Sequence, residues 1–221
     1  MFKAAQKLAA CIAPCIAAEP LYFLDSGDLA AFRPEPREGV FGYVPPLIDH
    51  AMRDCLISRA EWRGPGRVVV LCVDAIHQDA ADFRRALLQV VLHELGHAVA
   101  ITASEPVDDC GIVRQIAAYH HQQFVSRPTA SIGHDHGGPF VRRVCHLWQR
   151  ATWAGLYFEL WQICAGMQYG MSNAGEYLAA LGREPLAMRD KSFAAIEATE
   201  PPPAFQSLWQ ADQSRSKARD E

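Results

Sequence analysis

An α+β fold, with a small sheet packed on one long helix and more helices toward the C-terminus, is what this 221-residue sequence predicts. Three observations predict it. "GRVVVLCVD" is a β-branched run bounded by Gly66 and Asp74, the strongest strand signal in the chain. Directly after it, Phe83, Leu87, Val91, Leu95 and Ala98 form one apolar stripe at helical spacing, which marks a largely buried helix. A second stripe, Phe140, Val144, Trp148 and Ala151, follows Pro139, a favoured first-turn residue.

The remaining elements fall into place around these. Residues 1–18 read as an amphipathic helix, and short strands are expected at Leu21–Leu24 and Val40–Tyr43 within a Pro-, Gly- and aromatic-rich stretch. "PLIDHAMRDCLISRAEW" has helical spacing at Leu47, Ala51, Cys55 and Leu56. Asp79 is placed to cap the long helix, which Pro106 must end because proline lacks the amide donor. A helical patch is expected around Ile112–Phe124, and the helix from Pro139 is expected to run on through "WAGLYFELWQICAGM". "AGEYLAALG" adds a short helix stopped by Gly182. Residues 1–200 make one domain, and 201–221 read as a proline-spaced, disordered tail.

Composition excludes several classes. Half the residues are apolar and the formal charge is -4, which is not the basic excess of a nucleic-acid binder, although Arg142, Arg143 and Arg150 are locally clustered. The seven cysteines are odd in number and lack a C-x-x-C pair, so neither a disulfide framework nor a cysteine-based zinc ribbon is expected. Lys3 and Lys7 precede an apolar run from Leu8 to Ala18 in a layout resembling a signal peptide, but Pro14 interrupts it. The expectation is a cytoplasmic protein, with secretion as the alternative. No stretch approaches the ~20 apolar residues of a membrane-spanning helix.

Residues 93–97 read His-Glu-Leu-Gly-His. On a helix, His93 and His97 stack one turn apart on the same face, where both imidazoles can reach one metal ion. Glu94 lies about 100° round the helix, suited to act as general base on a water held by that metal rather than as a ligand. Burying three polar side chains among Val91, Leu92, Leu95 and Val99 without a purpose would be costly. Gly96 is a mid-helix glycine and suggests close approach of another backbone.

A third ligand must come from elsewhere. The extension H-E-x-x-H-x-x-G-x-x-H fails, since its last two fixed positions are Ala100 and Ala103. Glu159 and Glu176 are carboxylate candidates; His120, His121, His134 and His136 are imidazole candidates, the last two beside glycines that let the chain turn. Cys145 and His146 are adjacent and point apart on a helix, so they do not suggest a nucleophile pair.

The combination of H-E-L-G-H with His136-Gly137-Gly138-Pro139-Phe140, an H-G-x-x-F element, resembles the SprT/Spartan group of zincin metallopeptidases and the related WLM type. The resemblance covers about Val69 to Trp148 and implies a zincin-like fold with Zn2+ on His93, His97 and His136, and Glu94 as base. His134 remains the alternative third ligand, and it or Asp135 could otherwise orient a ligating ring. The gap from His97 to His136 makes Ser104–Ile132 an insertion, and no zinc ribbon or basic DNA-binding region accompanies the motif.

The function expected from this is zinc-dependent hydrolysis of a protein or peptide substrate. The edge of the strand at Arg67–Asp74 would hold extended peptide, and Tyr119, Arg142 or Arg143 would stabilise the oxyanion. The alternative is a zincin-fold regulatory or binding module, either inactive or confined to one partner as in phage-type repressor-cleaving proteins. No nucleotide or phosphate fingerprint offers another chemistry.

Overall fold

The computed structural model describes residues 2–30, 41–45, 48, 50–79, 81–100, 136–164 and 174–220. Among these, three strands occur: β1 (Leu21–Asp25), β2 (Gly42–Tyr43) and β3 (Arg67–Leu71). The helices are α1 (Lys3–Ile12), α2 (Pro14–Ala17), α3 (Ser26–Leu29), α4 (His50–Ser58), α5 (Val73–Asp79) and α6 (Phe83–Ala98). After the second long gap come α7 (Gly138–Trp153), α8 (Leu160–Ile163), α9 (Ala174–Leu181), α10 (Glu184–Ala187), α11 (Phe193–Ala198) and α12 (Pro203–Asp220). The result is an α+β structure, mostly helical, with one small mixed sheet.

The sheet order is β1-β3-β2, with β1 parallel and β2 antiparallel to β3. Side-chain alternation splits β1 and β3 between two cores. Leu21, Phe23, Val69 and Leu71 join the main core, whereas Tyr22, Leu24, Val68 and Val70 face a smaller one with Met52, Cys55 and Leu56 of α4. Both faces of β3 are therefore covered, which explains its uninterrupted apolar run. The strand expected to offer its edge to peptide, β3, is the central strand: β1 pairs along its whole length on one side, and β2 pairs with Val70 and Leu71 on the other. The strand at the sheet's edge next to the long helix is β2, which contacts α6.

The long helices α6 and α7 pack on each other, and α1 packs on both. Helix α1 buries Ala5, Leu8, Ala9 and Ile12, as its amphipathic spacing predicts. Asp82, not Asp79, caps α6, accepting a hydrogen bond from the Arg85 amide; Asp79 instead ends the separate helix α5. Helix α7 stops at Trp153 rather than running on, because Gly155 adopts a φ of 78°, in the left-handed region that glycine takes without strain.

The largest departure is at the C-terminus, where a disordered tail was expected and an 18-residue helix, α12, is found. Few apolar residues anchor it, but they are well placed. Phe205 is buried, and the hydroxyl of the buried Tyr177 on α9 donates to the Asp212 carboxylate at 2.5 Å. Trp209 lies over the start of α7, where a Cβ at Gly138 would sit 3.1 Å from its ring. The helical patch expected at Ile112–Phe124 lies outside the described residues. Among the described residues, no helix is long and apolar enough to cross a membrane.

Candidate metal centre

His93 and His97 lie on the buried face of α6, and His136 enters from the turn that precedes α7. Their Nε2 atoms converge: His136 is 3.1 Å from His93 and 3.2 Å from His97. A tetrahedral ion at ~2.0–2.1 Å from each nitrogen sets its ligands about 3.3 Å apart, so these separations suit one ion at the centre. Phe140, one turn into α7, lies against all three rings at centroid distances of 5.1, 4.2 and 4.8 Å from His93, His97 and His136. Proline at the start of α7 fixes the turn, and the buried phenyl ring holds the three imidazoles in register.

Protonation supports the same reading. His93 Nδ1 donates to the main-chain carbonyl of Ile163 at 2.7 Å, which leaves a lone pair on Nε2 facing the cluster. A single hydrogen on His136 Nε2 cannot point at both neighbours at once, whereas a cation satisfies all three lone pairs. Burial pushes His93 down to about 4, with the Ile163 carbonyl opposing and His136 adding to the shift. His97 falls to about 3, through burial first and then the nearby His93, His136 and Arg143 charges. Burial also lowers His136. All three are thus neutral at pH 7, the state a ligand needs. The three form a half-buried group that can hold a metal ion.

Glu94 is 4 % exposed, and burial alone pushes its carboxyl up to about 8. Gly42 of β2 covers it so closely that a Cβ there would lie 3.0 Å from Glu94 Cγ and Oε1. Among the described residues no cation pairs with this carboxylate. A carboxyl held in this way exchanges its proton near neutrality, as a general base or acid must.

The other candidates are placed as follows. Glu159 is exposed beside Arg85, and Glu176 is exposed on α9; neither joins the cluster. Tyr119, His120, His121, His134 and Asp135 lie outside the described residues. Arg142 is buried; its Nε donates to Glu184 and its Nη1 to the Thr199 carbonyl, while Nη2 is buried without a partner among the described residues. Arg143 donates from Nε to the Gly96 carbonyl at 2.7 Å and from Nη1 to Glu197 at 2.5 Å. These two arginines are therefore structural clamps, and Arg143 fastens the turn of α6 that carries His97. Cys145 is buried with its thiol pushed well up by burial, and His146 binds Glu184, so no nucleophile pair exists there.

Gly96 has the close approach its position suggests, but from side chains rather than backbone. A Cβ there would meet Val144 Cγ2 at 2.8 Å and Phe140 Cε2 at 3.0 Å. Alanine improves helix propensity, yet the overlap dominates. Gly96→Ala is expected to destabilise the protein by about 1–3 kcal/mol, read as a lower midpoint in urea denaturation. The Ile163 carbonyl carried no signal in the sequence, because any residue supplies one.

No family model matches this chain, and neither a curated protein nor a solved structure matches it. The centre therefore stands on its own geometry. Two of its imidazoles and the carboxyl come from one turn-and-a-half of α6; the third arrives across the α6–α7 interface.

Proposed function

We propose that the protein is a zinc-dependent metallopeptidase of zincin type, SprT-like in its H-E-L-G-H and H-G-x-x-F elements. The observation that carries this reading is the convergence of three neutral imidazole nitrogens beside a buried carboxyl that, among the described residues, no cation pairs, and that shares its helix with two of them. Three imidazoles suit zinc, and a tripod leaves a fourth position open, as catalytic sites require. When bound, zinc polarises a carbonyl and acidifies water. The rest of the chemistry belongs to the chain. His93, held by Ile163, and His97, held by the Arg143 clamp on its turn, keep their nitrogens fixed. Glu94, protonated near neutrality in the metal-free protein, would be ionised by the positive charge of a bound cation. It then takes a proton from the attacking water and returns it to the leaving amine. Phe140 keeps one side of the site dry. Extended peptide adds to the β2 edge, next to Glu94, instead of to the central β3.

Metal content tests the site, and cleavage tests the activity. Wild-type protein is expected to bind close to one equivalent of zinc by elemental analysis, and His93→Ala or His136→Ala to lose it. Full zinc retention by His136→Ala would remove it from the tripod. The zinc-loaded protein is expected to cut members of an unbiased peptide library, with Glu94→Gln as control. Zinc binding without any cleavage would instead favour the regulatory or binding module.

A further inference from the structure

At the end of α7 far from the histidines lies a cavity of about 490 Å³, lined by Cys11, Cys15, Arg150, Trp153, Arg189 and Lys191 among others. We propose that this cavity is a binding site for a small organic oxyanion, a phosphate monoester or a dicarboxylate. The inference is independent of the metal centre.

Charge is the first argument. Arg150 is half-buried at the wall of the cavity and donates only to main-chain carbonyls: Ile12 at 3.2 Å, Met188 at 3.4 Å and Lys191 at 2.7 Å. Its Nε is buried without a partner. Among the described residues no carboxylate forms an ion pair with it; Asp190 acts on it only at longer range, so a guanidinium partly removed from water is incompletely compensated. Burial lowers its pKa, which is the cost of that arrangement. Arg189 and Lys191 bring two further cations, and among the described residues neither side chain makes an ion pair or hydrogen bond. Asp190 is the single acid in the lining, which leaves an excess of two positive charges in a chain of net charge -4.

Shape and chemistry are the second argument. Arg150 serves the last carbonyl of α1, at Ile12, but among the described residues no helix carbonyl accepts from Arg189 or Lys191. Amides of Ala154, Gly155 and Leu156 bind the carbonyls of Arg150, Ala151 and Thr152 at the end of α7, so capping of these carbonyls does not account for Arg189 or Lys191. The Trp153 ring, with the Arg189 guanidinium 5.3 Å from its centroid, gives a flat apolar wall beside the charge. Arg150 is itself held on the Phe193 ring at 4.6 Å and so is pre-oriented. An arginine held on an aromatic ring, two exposed cations and an aromatic wall in a volume of this size are the parts of a small-anion site.

The two exposed thiols of Cys11 and Cys15 line the same cavity and serve as reporters. The test uses the full chain, dialysed free of metal, titrated with phenyl phosphate and separately with succinate. Alkylation of each cysteine is followed by peptide mass spectrometry, and binding by calorimetry. The expected result is saturable protection of Cys11 and Cys15 by one of the two probes, with one-to-one heat. Which probe protects tells phosphate from carboxylate recognition. Arg189→Ala and Lys191→Ala, both at exposed positions, should each weaken binding by about tenfold without moving the unfolding midpoint. Arg150→Lys tests the floor of the site while retaining charge, and should weaken binding further by losing the guanidinium fork. Absence of saturable protection by either probe overturns the proposal, as does binding that the Arg189 and Lys191 substitutions leave unchanged. Loss of zinc binding or peptidase activity elsewhere does not affect either outcome.

Discussion

Glu94→Gln is expected to abolish peptide hydrolysis, by on the order of 10²–10⁴-fold, while leaving zinc content unchanged and making the metal-free protein more stable. The combination is diagnostic. The folded-state carboxyl lies at about 8 against an ordinary 4.5, so the folded chain holds a proton that the unfolded chain releases. Its stabilising contribution is full below pH 4.5 and is lost as pH rises toward 8. At pH 7 this linkage costs roughly 3 kcal/mol. An amide of the same size stays neutral in both states and escapes that cost. Urea denaturation of metal-free protein at pH 7 should therefore show a gain of roughly 2–3 kcal/mol for the variant, shrinking to nothing near pH 4. A variant that is inactive and also less stable at pH 7 would mean that Glu94 is a structural hydrogen-bonding group. The histidines act with the opposite sign. Their lowered pKa values mean that the unfolded chain binds more protons below pH 6.5, so the metal-free protein loses stability as pH falls from there toward 4.

The second large effect is structural. Arg142→Ala is expected to destabilise the protein by about 3–5 kcal/mol, the usual consequence of breaking a buried ion pair from one side. Arg142 and Glu184 are 4 % and 8 % exposed, and Glu184 Oε1 receives Arg142 Nε at 2.8 Å and His146 Nε2 at 2.7 Å. Burial pushes the Glu184 carboxyl up, but the hydrogen bonds from His146 and Arg142 outweigh it and hold it below its ordinary value. The pair therefore stabilises above the unfolded carboxylate range and weakens as pH falls through it. Removing Arg142 leaves Glu184 charged in the interior and frees the Thr199 carbonyl it had bound. The double variant Arg142→Met/Glu184→Leu is expected to recover much of the loss, since an apolar pair carries no unpaired charge. Equal losses for the single and double variants, measured by urea denaturation, would show that packing of the arginine stem, not charge, holds α7 to α10.

The helix carrying the candidate site was legible because its signals are local. His93, Glu94 and His97 fall within one turn and a half, so helical spacing alone places two imidazoles on one face and the carboxylate beside them. The strand at Val68–Leu71 was equally plain, since a β-branched run between turn residues has few other readings. Its position in the sheet was not, because strand order depends on pairings across more than forty residues, such as Leu21 with Arg67. The edge passed to β2, only two residues long, whose closeness to Glu94 rests on Gly42 having no side chain.

Alone, the sequence determined a histidine pair placed to share a metal ion, its neighbouring acid and the α+β composition, since each depends on residues within a few positions of one another. Tertiary structure decided the rest. His136 is 39 residues beyond His97 and reaches the pair because α7 lies across α6, a packing that Gly96 permits by leaving room for Val144 and Phe140. It also decided that Arg142 and Arg143 are clamps, since their partners Glu184 and Glu197 lie some forty to fifty residues away. The C-terminal helix was hidden for the same reason. Its own composition is too polar to signal a buried face, and it is distant residues such as Tyr177 and Gly138 at the start of α7 that give Phe205, Trp209 and Asp212 a place to bind.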